Sequence, residues 1–403
     1  MESDKLLEGL RGQLEDELHA VTAWWLEHVV DLESGDIAGE VSTDNRVNPD
    51  AGWSLVYVTR LLWFFSAMYR HGAIADCRAA AELCRRFLEH HFLDRENGGL
   101  FWTLDARKRP GSRKKQTYGQ AFALYGLSEF ARAFDDDDAR SQAGQLVEAL
   151  ELHTHDRENG GYLEALDPRW QPLSDMRLGS SDSNAEKTMN THLHVLEAYA
   201  AYFRVKPDPA TRTLLAGLVD LFLRRFLEPS GRHLLRYCSR DWAVYPAGRS
   251  FGHDIEASWL LCEAADALGD PGLQSRARKA ALALSVGVLA QGLDADGAVI
   301  HERSPDGSPD RTRVWWVQAE ATVGFFNAWQ LCREQRFFEA SLGCWAFIRE
   351  HQRDHEHGEW TWFSARDKNA SLEYKAGAWK GPYHNGRALL EMIRRIDRVL
   401  AKP

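Results

Sequence analysis

Along the chain, strongly apolar stretches alternate with stretches that carry charges on one side at helical spacing. The apolar stretches cover residues 61–69, 121–134, 192–203, 255–268, 319–331 and 387–400. Helices with apolar residues on most sides must be covered on most sides. Between them, residues 79–90, 146–153, 211–226, 273–289 and 337–351 read as amphipathic helices, and residues 6–30 complete the pairing. About twelve helices that alternate in this way fit an inner ring inside an outer ring. The pattern therefore predicts an all-α fold, an (α/α)6 barrel spanning residues 1–403 as a single domain. An open solenoid of helix pairs would leave the inner helices bare on one side and require polar capping repeats.

A second pattern keeps the same phase. Residues 94–99 read Asp-Arg-Glu-Asn-Gly-Gly and residues 156–161 repeat them, while related acidic-glycine turns stand at 31–40, 228–235, 294–301 and 354–363. Turns spaced by roughly sixty to seventy residues mark a repeat architecture with one helix pair per period.

Composition narrows the setting. No apolar run approaches the roughly 20 residues of a membrane span, and the charged N-terminus lacks the apolar core of a secretory signal, so cytoplasmic residence is expected. Six cysteines without CxxC spacing read as small buried residues. A net charge of −10 argues against nucleic acid as a partner. The 15 tryptophans are numerous for this length, and aromatic faces suit sugar rings as well as protein cores. The acidic turn at 135–138 reads as solvated, and the polar loop at 179–184 as a segment able to cover a site.

At or just before each inner helix stands a polar or aromatic residue that the apolar pattern does not explain: Arg60; Tyr118 with Gln120; Asn190 with His194; His253 with Glu256; Trp316 with Gln318 and Glu320; and Trp379 with His384. In a closed ring, groups at one level of six inner helices converge on the axis and form one pocket. His253 and Glu256, three residues apart, share a helix face and read as a base and its orienter. Gln120 and Glu320 could equally satisfy buried backbone groups. His192, two residues from His194, points elsewhere. The inward histidines lack metal-ligand spacing, and the cluster His351, His355 and His357 reads as a turn at the opposite end of the barrel, so no metal is expected. Glycoside hydrolysis needs two facing carboxylates; with Glu256 assigned to a histidine, only Glu320 remains. Histidine pairs suit proton abstraction beside a carbonyl.

Four segments, 189–199, 252–260, 313–321 and 379–387, resemble the cellobiose 2-epimerases of the N-acylglucosamine 2-epimerase superfamily, from about Arg60 to the C-terminus. The resemblance implies an (α/α)6 barrel and cofactor-free epimerisation at C2 of a reducing-end sugar. It implies His253 and His384 as the acid–base pair, with Glu256 supporting His253. It further implies that Arg60, Tyr118, Asn190 and His194 hold the open-chain sugar and that Trp316 and Trp379 stack on sugar rings. The expected partner is a small sugar, with a monomer or weak homodimer as the assembly. A mannose 2-epimerase or mannose–fructose isomerase is the alternative, and a non-catalytic binding barrel is the reading from another class. The stretch 34–39, Ser-Gly-Asp-Ile-Ala-Gly, departs from the Gly-Gly-Phe-Tyr-Gly usual in relatives and is expected at the pocket mouth.

Overall fold

The computed structural model describes residues 2–72, 76–179, 182–364, 366–367 and 373–401. Among them are twelve α-helices: α1 (Glu2–His28), α2 (Leu55–His71), α3 (Asp76–Phe87), α4 (Thr117–Phe134), α5 (Asp137–Ala149), α6 (Met189–Val205), α7 (Pro209–Arg225), α8 (Phe251–Leu268), α9 (Pro271–Gln291), α10 (Trp315–Cys332), α11 (Gln335–Phe347) and α12 (His384–Leu400). The even-numbered helices pack side by side as the inner ring, and each odd-numbered helix packs outside an even one, α1 against α12. The fold is the (α/α)6 barrel that the apolar pattern predicts. Closure between α12 and α2 depends on Gly386, where a Cβ atom would come within 2.3 Å of the Phe64 ring. No helix of the described residues is long and apolar enough to cross a membrane.

Burial follows ring position. In α2 every residue from Leu55 to Met68 is buried, whereas α3 buries only Cys77, Ala80, Ala81, Leu83, Cys84 and Phe87. Short turns join α4 to α5, α6 to α7 and α8 to α9, capped by Asp136, Asp208 and Asp270, whose side chains accept from the backbone N–H of Ala139, Thr211 and Leu273. Such caps satisfy donors that a helix start leaves free. The acidic turn at 135–138 is thus the start of α5. Long connections run from the outer helices back to the N-termini of the inner ones, so all six inner N-termini lie at one end.

The recurring turn braces that end. Asp94 accepts from the N–H of Glu96 and Asn97, both at 3.1 Å, and from Lys115 Nζ at 2.7 Å. Asp156 repeats this with Lys187 at 2.8 Å, and Asp354 with Lys375 at 2.7 Å. Gly98 and Gly99, and Gly160 and Gly161, all have positive φ, which glycine adopts without steric cost. Lys115 and Lys187 sit in two-residue strands immediately before α4 and α6. The Asp94 and Asp156 pairs therefore each tie a turn to the start of an inner helix, and removing one partner would leave an uncompensated buried charge.

The inner helices begin three to six residues before the predicted starts; α2, for example, begins at Leu55 rather than 61. Arg60, Tyr118, Asn190, His194, His253, Glu256, Trp316 and His384 are helical and face the axis, whereas Gln318 bonds the N–H and carbonyl of Val299 and Trp379 lies just before α12. The turn carrying His355 and His357 lies in the connection from α11 to α12, hence at the site end of the barrel and not the opposite one. It is docked on the outer rim, where the His357 carbonyl accepts from Trp24 Nε1 at 3.0 Å and Asn45 Nδ2 at 2.8 Å.

Candidate active site

The first turns of the inner helices surround a cavity of about 340 Å³. Arg60, Tyr118, Asn190, His194, His253, Glu256, Trp316, Trp379 and His384 line it, together with Leu178, Gly179, Asp182, Trp315 and Trp362. Helical side chains tilt toward the N-terminus, which aims these groups at the cavity. Ser180 and Ser181 of the predicted covering loop lie outside the described residues; its flanking Gly179 and Asp182 reach the cavity wall.

Behind the cavity lies a buried charge cluster centred on Arg387. Its Nη2 donates to Glu256 Oε1 at 2.6 Å and to Glu320 Oε1 at 2.7 Å, and its Nη1 donates to Glu197 and to the Tyr383 hydroxyl. Glu320 is the orienter of His384: Oε1 lies 2.6 Å from His384 Nδ1, while Oε2 accepts from Trp259 Nε1 at 3.0 Å. Glu197 meets His194 Nδ1 at 3.1 Å. Burial alone would raise Glu197, but Arg387 and His194 hold it at about 2. Burial, the neighbouring Glu320 and Glu197 push Glu256 up to about 7, against the pull of His194 and Arg387.

Three of the predicted relationships need correction. Glu256 does not orient His253; that imidazole's Nδ1 meets Ser250 Oγ at 2.7 Å. The histidine leans toward the helix N-terminus, and Glu256 is drawn to the Arg387 guanidinium instead. Glu320 is no backbone satisfier, although Gln120 is, bonding both the N–H and the carbonyl of Leu100. The stretch 34–39 does not reach the candidate site; it lines a separate cavity of about 940 Å³ with Trp53 and Lys108. As predicted, His192 faces away, with Nε2 accepting from the Tyr162 N–H at 2.9 Å and Nδ1 against the Thr188 carbonyl at 2.7 Å.

His253 and His384 both pack against Trp316, with ring centroids 4.9 and 5.5 Å from it. Gly252 gives Trp316 room, since a Cβ there would lie 2.4 Å from the indole. Burial holds both imidazoles well below the usual histidine value; nearby cations add to this, Arg236 for His253 and Arg60 and Arg387 for His384. Each has Nδ1 engaged, and among the described residues no hydrogen-bond partner meets either Nε2. An ionised Glu320 accepts only, so His384 carries its proton on Nδ1 and keeps a lone pair on Nε2.

Arg60 is clamped between the rings of Phe122 and Tyr383, at 4.6 and 4.7 Å. It donates to the Trp379 carbonyl at 2.9 Å and the Tyr118 hydroxyl at 3.2 Å. A fixed cation at the cavity wall favours charge that develops on a bound oxygen. Among the described residues, Glu256, Glu320 and His384 also bring possible metal-ligand atoms within 4.8 Å of one another. Arg387 already lies against both carboxylates, so a cation of the protein's own neutralises the position an ion would take.

Residues 38–388 match the family model described as N-acylglucosamine 2-epimerase (GlcNAc 2-epimerase). The chain is 39% identical over 388 residues to a cellobiose 2-epimerase of Bacteroides fragilis, covering 95% of this chain and 98% of that protein. A solved structure of cellobiose 2-epimerase from Spirochaeta thermophila superposes with a TM-score of 0.89 at 38% identity, covering 98% of each chain. A D-mannose isomerase of Marinomonas mediterranea is 23% identical over 412 residues, covering 95% of this chain and 97% of that protein.

Proposed function

The chain belongs to the N-acylglucosamine 2-epimerase family and is a carbohydrate epimerase or isomerase, and from that premise we propose that it inverts C2 of the reducing-end aldose of a β-1,4-linked disaccharide. Cellobiose would become glucosylmannose, and mannobiose is a related substrate. The observation that carries this reading is the pair of neutral imidazoles, His253 and His384, that line one cavity and both pack against Trp316.

A C2–H becomes acidic only beside a free aldehyde, so the sugar ring opens first. One histidine takes the C2 proton on Nε2, the electron pair moves into the C1–C2 bond, and the C1 oxygen takes the charge and then the proton of that imidazolium to give a cis-enediol. The other histidine takes the C1 hydroxyl proton and delivers it to the opposite face of C2 as the C1 aldehyde re-forms, so both imidazoles end neutral. Two bases on two faces invert the centre, whereas one base tends to restore it. Arg60 stabilises the developing oxygen charge, and Glu320 stabilises the imidazolium of His384 through the 2.6 Å contact. Tyr118, Asn190 and His194 hold the open chain, while Trp316 and Trp379 stack on sugar rings. The whole chain serves as one catalytic domain.

The disaccharide is preferred because the relatives at 39% and 38% identity are cellobiose 2-epimerases, against 23% for the D-mannose isomerase. A mannose 2-epimerase or mannose–fructose isomerase is the alternative. Incubation with cellobiose, mannobiose, mannose and glucose, followed by NMR of the products, separates the two. Turnover of mannose at least as fast as of the disaccharides would replace this reading with the alternative.

A further inference from the structure

We propose that Glu256 works as a neutral carboxylic acid, its Oε2 donating a hydrogen bond to an oxygen of the reacting sugar on which charge develops. The role rests on the sugar-epimerase reading and replaces the histidine-orienting role implied by sequence resemblance.

Three carboxyl groups, Glu197, Glu256 and Glu320, contact the single guanidinium of Arg387. All four side chains are at least nine-tenths buried. Three ionised carboxylates around one cation would leave two uncompensated negative charges in a poorly solvated site, which favours a shared proton. The hydrogen bonds place that proton. Glu197 accepts from Arg387, His194 and Tyr383, and Glu320 accepts on both oxygens from Arg387, His384 and Trp259. Glu256 accepts on Oε1 alone; its Oε2 is buried without any hydrogen-bond partner, and the residue lines the cavity.

The charged and titratable neighbours are Glu197 and His194 from α6, His253 on α8, Glu320 from α10, His384 and Arg387 from α12 with Tyr383 just before it, Tyr118 from α4 and Arg60 from α2. Burial raises both Glu256, to about 7 with Glu320 adding to it, and Glu320, whose two oxygens are nevertheless both occupied by donors, whereas Arg387 and His194 hold Glu197 at about 2. A carboxylic acid kept neutral by its surroundings can serve as an oxyanion donor.

Glu256→Gln tests the assignment, because glutamine copies the neutral acid: its carbonyl can accept from Arg387 while its NH₂ occupies the Oε2 position as a donor. Infrared difference spectra of wild type minus Glu256→Gln, without sugar, are expected to contain the C=O band of a protonated carboxylic acid that fades as pH rises through about 7. Kinetics on cellobiose are expected to leave Glu256→Gln within about tenfold of wild-type kcat, without the wild type's alkaline decline. Glu256→Ala is expected to lose about a hundredfold or more. No protonated band, or a folded Glu256→Gln as slow as Glu256→Ala, would overturn the proposal. If the wild type turns over none of the sugars, the epimerase reading fails, and the infrared arm alone then decides whether Glu256 is neutral.

Discussion

Glu320→Gln isolates the electrostatic role of the His384 partner while nearly preserving its shape. With the amide oxygen in the Oε1 position, glutamine still accepts from His384 Nδ1 and Arg387, but its NH₂ then meets the Trp259 N–H that Oε2 accepted at 3.0 Å. Leaving that buried donor unsatisfied costs about 1–3 kcal/mol of stability. The flipped amide would oppose both Arg387 and the His384 Nδ1–H, so the first orientation is favoured. Catalytically, a hydrogen bond to a charged group, about 1.5–3 kcal/mol, becomes a neutral one of about 0.5–1.5. The difference of about 1–2 kcal/mol, lost when His384 becomes imidazolium, lowers kcat by about 5- to 30-fold. The assay is initial-rate epimerisation of cellobiose, with circular dichroism to confirm the fold and thermal denaturation for the stability loss. A folded Glu320→Gln with wild-type kcat would refute the assignment of Glu320 as the group that stabilises protonated His384.

Ser250→Ala removes a neutral partner from His253 without removing a helix cap, since this N-cap side chain makes no capping bond. A loss of about 2- to 12-fold in kcat/KM is expected, with Ser250→Thr recovering most of it; equal loss in both variants would exclude the hydroxyl as the reason. Burial lowers His253 and His384, so both stay neutral and competent as bases from neutrality down through pH 6.5. The acid limb of kcat/KM is expected below that pH, and a limb centred at or above 6.5 would contradict the burial argument. His192 is held at about 3 by burial, so the unfolded chain binds its proton more readily as pH falls below about 6.5. Folding stability is expected to fall by up to about 1.4 kcal/mol per pH unit from this group between pH 6 and 4, a contribution that His192→Asn should remove from pH-dependent denaturant melts. Dialysis against a chelator is expected to leave turnover unchanged, and recovery of lost activity by one divalent ion would move the histidines from proton transfer to coordination.

The ring architecture was legible because two independent patterns, the apolar alternation and the acidic-glycine turn, keep the same period. Convergence of the site followed from that phase, and all the predicted residues except Gln120, Gln318 and Glu320 line one cavity. Partner assignments were less legible, since spacing on a helix says which residues share a face and not which group elsewhere competes for them. The rule that fails for His253 and Glu256 holds for His194 and Glu197, three residues apart and in contact at 3.1 Å. The difference is Arg387, which lies 131 positions from Glu256 and 190 from Glu197 and reads in sequence as an ordinary residue of the last helix. Only closure of the ring lets Arg387, on α12, reach carboxylates of α6, α8 and α10. Ser250 carried a readable signal, a hydroxyl three residues before a histidine at a helix start, but so do many caps.

The two-base claim is tested most directly by C2 proton exchange in deuterated water, measured separately on each epimer with His253→Ala and His384→Ala. Acid–base groups contribute about a hundred- to ten-thousand-fold each, so both variants should lose epimerisation while keeping the wild-type circular dichroism spectrum. Each retains one base on one face. One variant is therefore expected to exchange C2–H only in the gluco epimer and the other only in the manno epimer. A single variant that exchanges both epimers, or that still interconverts them at a substantial rate, would contradict the account.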